Sequence, residues 1–198
     1  MQPNESLHLS VDCVLFGYDD DGLKVLLINQ KADTYAHENG QPMSQLPGDL
    51  ILIEEGLDEA AERVLYELTQ VNGVYLKQFH AYGDPNRVKD HKDRTWLRSV
   101  RTMPDQRVVT VGYLGLVSLH DYDPQPASFA GGVSWVDVNE VGPLAFDHNS
   151  ILSGAIEALQ TQLESHHISF ELLPKKFTLS QLQALYETVL DKKFDKRN

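Results

Sequence analysis

The hydrophobic pattern divides the chain into short strands and a few helices. "LHLSVDCVLFGY" (7–18) and "LKVLLIN" (23–29) are dense in Val and Leu, and "DDDG" (19–22) between them is a turn signal, so the pair predicts a hairpin. "KADTYAHENGQPMSQ" (31–45) is polar and predicts a loop. "VYLKQFHAYG" (74–83), "RVVTVGYLGLVS" (107–118) and "VSWVDV" (133–138) predict further strands; the stretch from Asp84 to about Gln106 predicts a long loop. "FDHNSILSGAIEALQTQLES" predicts a helix with Asp147 as its N-cap.

After Ser165 the pattern restarts. "ISFELLP" leads into "FTLSQLQALYETVL", where Thr178 and Gln181 stand at capping-box spacing. Leu179, Leu182, Tyr186, Val189 and Leu190 then share one helical face. One amphipathic helix in about thirty residues cannot bury its own core. The expectation is one domain over residues 1–165 and the beginning of a second over 166–198, incomplete in this chain.

Composition narrows the class. The 198 residues are 41% hydrophobic and 23% charged, ordinary for a globular protein. No apolar run approaches the length that spans a bilayer. "MQPNESLHL" has neither the basic nor the apolar part of a signal peptide. The lone Cys13 sits in an apolar run and reads as a buried thiol. These features point to the cytoplasm and away from a membrane.

A net charge of -12 argues against general polyanion binding, but the charge is uneven. Residues 171–198 carry six Lys/Arg against four Asp/Glu, and "RVKDHKDRTWLRSVR" (87–101) carries six against two. An acidic body with basic segments suits contact with a polyanion at one end, or simply a solvated charged surface.

The chemistry concentrates in "LPGDLILIEEGLDEAAERVLYELTQVNGV" (46–74), which resembles the Nudix box. Aligned on Arg63, Glu55 falls on the loop glutamate, Leu65 and Val71 on the aliphatic positions, and Glu67 on one helix glutamate. The pattern breaks at Asp49, which stands at the first glycine although Gly48 is adjacent. It breaks again at Val64 and Leu68, which replace two of three helix glutamates, and at Gln70, which replaces the last glycine. In the box three carboxylates on adjacent helix turns hold the Mg²⁺ that clamps a pyrophosphate and activates water. Val64 and Leu68 cannot ligate Mg²⁺. Glu67 alone would leave the ion bound mainly by water, and reads equally as a structural helix glutamate. Arg63, four residues from Glu67, is placed for a helix ion pair; the resemblance gives it the role of orienting Glu55.

The rest of the chain narrows the resemblance. "GDPNR" (83–87), "QRVVTVGYLGLV" (106–117), "FDH" (146–148) and "FELLPKKFTLSQLQALYETVL" followed by "DKRN" resemble the Nudix-related bacterial transcription regulators, the NrtR and AraR kind. The resemblance covers residues 8–198 apart from 31–45 and 88–104. It implies an α/β fold, a mixed sheet sandwiched between helices, followed by a partial winged helix. It also implies a homodimer in which a non-catalytic Nudix-like domain senses ADP-ribose or a sugar and the winged helix binds operator DNA. No catalytic residue, cofactor or metal ligand is assigned. Two rivals stand beside this: an active Mg²⁺-dependent hydrolase of ADP-ribose or a related nucleoside diphosphate derivative, and a scaffold that binds protein.

For the effector, phosphate recognition calls for Arg, Lys or backbone N–H groups. The candidates are Arg107 at the start of a strand, Arg87 and Asp84 in "GDPNR", Tyr113 as a stacking ring or a core residue, and Lys31 after the second strand. His148 reads as part of a helix N-terminus. Trp96, among basic residues, could cover the pocket, touch DNA phosphates or belong to a surface loop. For DNA, the candidates are Lys192, Lys193, Lys196 and Arg197, where the family's recognition helix would begin.

Overall fold

The computed structural model describes residues 7–19, 22–30, 36, 43–88, 90–119, 124, 131–165 and 178–190. Its centre is β1 (His8–Asp19), which forms the expected hairpin with β2 (Gly22–Asn29), Asp19 lying opposite Gly22. On its other side β1 runs parallel to β6 (Val108–Ser118), which pairs antiparallel with β5 (Lys77–Tyr82). β3 (Ser44–Gln45) and β7 (Gly132–Asp137) both pair with β2, and β4 (Gly48–Leu50) pairs with the first half of β1. The result is a mixed seven-stranded sheet of order β3-β2-β1-β6-β5, with β4 and β7 attached beside that path.

Both faces of the sheet are covered, which explains why β1 and β2 are apolar almost throughout rather than alternating. Val11, Cys13 and Leu15 of β1 join Leu26, Ile28, Val111 and Val117 under α1 (Leu57–Thr69), against Ala60, Ala61, Val64, Leu65 and Leu68. Val14, Phe16 and Tyr18 face the other way, with Val25, Leu27, Leu114 and Leu116, against α3 (His148–Glu164). The period of two therefore sorts each strand between two cores. Burial raises the Cys13 thiol well above its ordinary value and keeps it protonated.

α1 begins at Gly56, whose N–H donates to the Glu59 side chain at 2.9 Å. It ends at Gln70, which takes a left-handed φ of 59° and donates its N–H to Tyr66 O at 2.8 Å. This is the backbone that the missing glycine of the box would adopt without strain.

The stretch Asp84–Gln106 departs from the expected loop. Residues His91–Val100 form α2, with the Asp90 carboxylate accepting from Lys92 N at 2.7 Å as N-cap. The run looked loop-like because it is polar, yet Asp93 and Leu97, one turn apart, are both buried.

At the C-terminal end α4 (Leu179–Leu190) starts one residue after Thr178; the Gln181 side chain lies outside the described residues. Val189 is buried, Tyr186 and Leu190 pack on the α3-side core, and Gln160 Nε2 donates to Val189 O at 2.8 Å. Among the described residues no helix is long and apolar enough to cross a membrane.

Candidate functional site

A cavity of about 730 Å³ opens where the first half of β1, β4, α2 and the N-terminus of α3 meet. That is within the range of small-molecule sites. Its base is Asp12, an acid on an otherwise apolar strand and only 5% exposed. A buried carboxylate needs partners, and Asp12 has them on several sides. Thr110 Oγ1 donates to its Oδ2 at 2.6 Å and itself accepts from Ser10 Oγ at 2.7 Å. Arg87 Nη2 lies 3.6 Å from Oδ2, and His148 Nε2 lies 3.5 Å from Oδ1. Gly48 closes over the same carboxylate: a Cβ there would overlap Asp12 Oδ1, so this position admits only glycine while Asp12 stays in place.

Arg87 is the second anchor. It makes a two-point ion pair with Asp147, Nε to Oδ2 at 2.9 Å and Nη2 to Oδ1 at 2.7 Å. Burial works against its charge, but the Asp147 hydrogen bond and the Asp12 charge outweigh it and hold the guanidinium above its usual range. Asp147 occupies the expected N-cap position of α3 but makes no side-chain capping bond there. His148 behaves differently. Its Nδ1 accepts from Leu46 N at 2.9 Å, which places the imidazole proton on Nε2, facing Asp12. Burial pushes its pKa down, opposed by Asp12 and Asp147, and the ring is neutral.

α2 forms one wall. Trp96 lines the cavity and packs against Phe146 at a centroid distance of 5.8 Å, and Phe146 packs against His148 at 5.3 Å. Phe146 holds a φ of 56°, an uncommon backbone for a bulky residue.

Of the Nudix-box stretch only Gly48, Asp49 and Leu68 line the cavity, and its residues do not fit a metal. Arg63 grips Glu55 through Nε (2.8 Å) and Nη2 (2.6 Å), reaches Leu50 O at 3.0 Å, and binds Glu67 through Nη1 at 2.9 Å. The hydrogen bond from Arg63 holds the Glu55 carboxyl below its usual range. Val64 is fully buried in the core under α1, and Leu68 presents an alkyl wall to the cavity. Glu67 is half-exposed, paired with Arg63, and does not line the cavity. Among the described residues no three His, Cys, Asp or Glu side chains gather as a metal site.

Comparison with known proteins accounts for both halves of the chain. The family described as the NrtR DNA-binding winged helix domain matches residues 169–198. The chain is 28% identical over 193 residues to the ADPR-responsive transcriptional repressor NtrR of Acinetobacter baylyi, covering 96% of this chain and 69% of that protein. NrtR of Shewanella oneidensis superposes with a TM-score of 0.71 at 31% identity, over 96% of this chain and 81% of its own.

The chain belongs to the NrtR family of Nudix-related transcription regulators.

Two further structures of the Shewanella NrtR define what that protein binds. Its NUDIX domain complexed with ADP ribose matches at 30% identity and TM-score 0.60, over 79% of this chain and 90% of that one. The full protein complexed with a 27mer DNA matches at 26% identity and TM-score 0.65, over 96% and 78%.

Within this NrtR-family fold the residues singled out from sequence separate. Arg87 and Gly48 line the cavity. Arg107 does not: it is exposed, with Nη2 donating to Gly83 O at 2.9 Å, because Val108 takes the cavity-lining place at the start of β6 and Arg107, one position earlier, does not. Asp84 is a turn residue whose carboxylate accepts from Asn86 N at 2.7 Å. Tyr113 faces α1, the opposite side of the sheet from Ser10 and Asp12, and its hydroxyl donates to Asp58 at 2.6 Å. Lys31, Lys192, Lys193, Lys196 and Arg197 lie outside the described residues. Sequence reasoning missed Asp12, Arg101 and the cavity-lining position of His148. A lone Asp inside "SVDCVLF" was the available signal for the first.

Proposed function

We propose that this chain is a transcription regulator whose Nudix domain binds ADP-ribose without hydrolysing it and thereby controls a winged helix on DNA. The observation that carries the sensing half is Leu68: where hydrolysis needs a metal-binding carboxylate, the cavity has an alkyl wall. The remaining box carboxylates, Glu55 and Glu67, are spent on Arg63. The relatives support the choice of ligand and partner, since one is named for its response to ADPR and another is solved with ADP ribose and with DNA.

In this reading Asp12 and Asp49 accept hydrogen bonds from ribose hydroxyls, and the aromatic wall of Trp96 and Phe146 receives the adenine. DNA is read by the winged helix beginning in 166–198, with Lys192, Lys193, Lys196 and Arg197 as phosphate contacts. The regulator works in the cytoplasm as a homodimer on a palindrome. ADP-ribose shifts the population between dimer geometries because it binds one better than the other.

The test is a gel shift on palindromic operator DNA with ADP-ribose titrated in, with the ligand recovered afterwards. Release of DNA and intact ADP-ribose are the expected results. Release by a free sugar but not by ADP-ribose would transfer the effector to the sugar class. DNA binding indifferent to both would remove the sensing role.

A further inference from the structure

The cavity contains two cationic side chains among the described residues, and they are not equivalent. Arg87 is consumed by Asp147 and Asp12. Arg101 also lines the cavity, but its guanidinium makes no hydrogen bond or ion pair among the described residues; it feels the charges of Asp49, Asp12 and Arg87 at longer range. It is supplied by the C-terminal end of α2, in the segment 88–104 that the family resemblance does not cover. A second group is equally unmet: Gln45 Oε1 is buried at the cavity edge without a partner among the described residues. Leaving a buried polar group unsatisfied is costly, so a cavity that keeps one free donor fork and one free acceptor is completed by what it binds.

From this geometry we infer that Arg101 is the anion-recognition residue of the cavity, taking a phosphate oxygen pair of the effector through its guanidinium fork, while Gln45 Oε1 accepts from a ligand hydroxyl or amine. The assignment rests on the cavity being the effector site. Arg is suited to a phosphate because its planar donors match two oxygens at once. Burial lowers the Arg101 pKa against the pull of Asp49 and Asp12, so an arriving anion meets a charge that the protein has left poorly compensated. Arg107, which stands outside the cavity, has its fork turned to Gly83 O and cannot take this role in the same conformation. α2 is thereby a specificity element: it carries the cation at its end and the Trp96 ring on its face.

The alternative is that Arg101 merely complements the negative end of α2 or balances the acids, which would affect stability and not ligand choice. Calorimetry separates the two, using ADP-ribose and inorganic pyrophosphate with the wild-type chain, Arg101→Ala and Arg101→Lys, each variant checked by thermal melting. Arg101→Ala should weaken whichever phosphate ligand binds by about tenfold to a hundredfold, the loss of a charge-assisted hydrogen bond. Arg101→Lys should recover part of that, keeping the charge but not the fork. Affinity within twofold of wild type in folded Arg101→Ala overturns the inference and leaves the effector reading intact. Pyrophosphate binding that depends on Arg101, with no binding of ADP-ribose, overturns the effector reading and keeps the inference. Binding of neither ligand to the wild-type chain overturns both.

Discussion

Arg87 and Asp147 are joined by two hydrogen bonds, 2.7 and 2.9 Å long, that tie the loop after β5 to the entrance of α3. The Arg87 side chain is 7% exposed and that of Asp147 17%, so neither falls back on water when its partner is removed. Arg87→Ala should cost about 3–5 kcal/mol, the loss expected when one half of a buried pair is left alone. Urea denaturation measures it. The double variant with Asp147→Ala should cost clearly less than the two single losses added; strict additivity would mean that the pair is not coupled.

A second expectation concerns turnover. With Val64 and Leu68 in place of carboxylates, ADP-ribose incubated with Mg²⁺ should remain intact by chromatography. Turnover that rises with Mg²⁺ and vanishes in Glu67→Gln would restore the hydrolase. Writing one glutamate back does not rescue the site: Val64 is fully buried, and Val64→Glu should destabilise the fold by several kcal/mol through an unpaired buried charge.

Glu55 links the box to acid stability. Its folded pKa lies below the unfolded value of about 4.3, chiefly through the Arg63 hydrogen bond. A depressed carboxyl stabilises the fold above its unfolded pKa, and that contribution disappears as pH falls through the folded pKa. Denaturant midpoints of wild type and Glu55→Gln should therefore differ at pH 7, and the gap should narrow progressively as pH falls below the unfolded value of about 4.3. A gap that does not narrow at all as the pH falls below that value would show that the charge of Glu55 is irrelevant to its role.

His148 has the opposite protonation habit. Burial lowers its folded pKa, so the unfolded chain takes up its proton first as pH falls below about 6.5. This site therefore contributes less stability at pH 5.5 than at pH 7.5, and nothing further changes above the unfolded pKa. In an NMR titration the His148 ring should stay neutral through pH 6.5, with its proton on Nε2. His148→Ala, which leaves the buried Leu46 N–H without its acceptor, should cost about 1–3 kcal/mol.

Gln70 offers a gain. Its left-handed backbone costs a non-glycine residue about 1–2 kcal/mol, while glycine returns about 0.4–1 kcal/mol of that through unfolded-state entropy. Gln70→Gly should thus raise stability by roughly 0.5–1 kcal/mol in thermal melts. A fall would mean that the Gln70 side-chain bond to Tyr66 O matters more than the strain.

The sheet and three of the four helices were legible because periodicity and turn residues carry them. "DDDG" marked the hairpin, and the apolar face around Val189 marked α4. α2 was not, because among its nine described side chains only Asp93 and Leu97 are deeply buried and one of those is an acid. The box was legible as spacing; the Arg63–Glu67 pair follows from that spacing, and Arg63 holding Glu55 from the family resemblance. The cavity was less so. Arg107 was attractive as an Arg beginning a strand, but whether such an Arg lines a pocket depends on which face of the sheet carries the pocket, and that is a tertiary fact. Asp12 needed the parallel pairing of β1 with β6 to bring Thr110 to it across 98 positions of sequence.

α3 touches the two ends of the problem. His148 at its first turn borders the cavity, and Gln160, twelve positions on, holds α4 by the Val189 carbonyl. At 1.5 Å per residue that is a rigid arm of about 18 Å, so a tilt of about 5° at the cavity end displaces the far end by about 1.5 Å. If the cavity holds the effector as proposed, a shift too small to break any bond around it would arrive at α4 as a sideways step comparable to the helix shifts that rearrange subunit interfaces. The length of one helix would then set the gearing between what is sensed and what is moved.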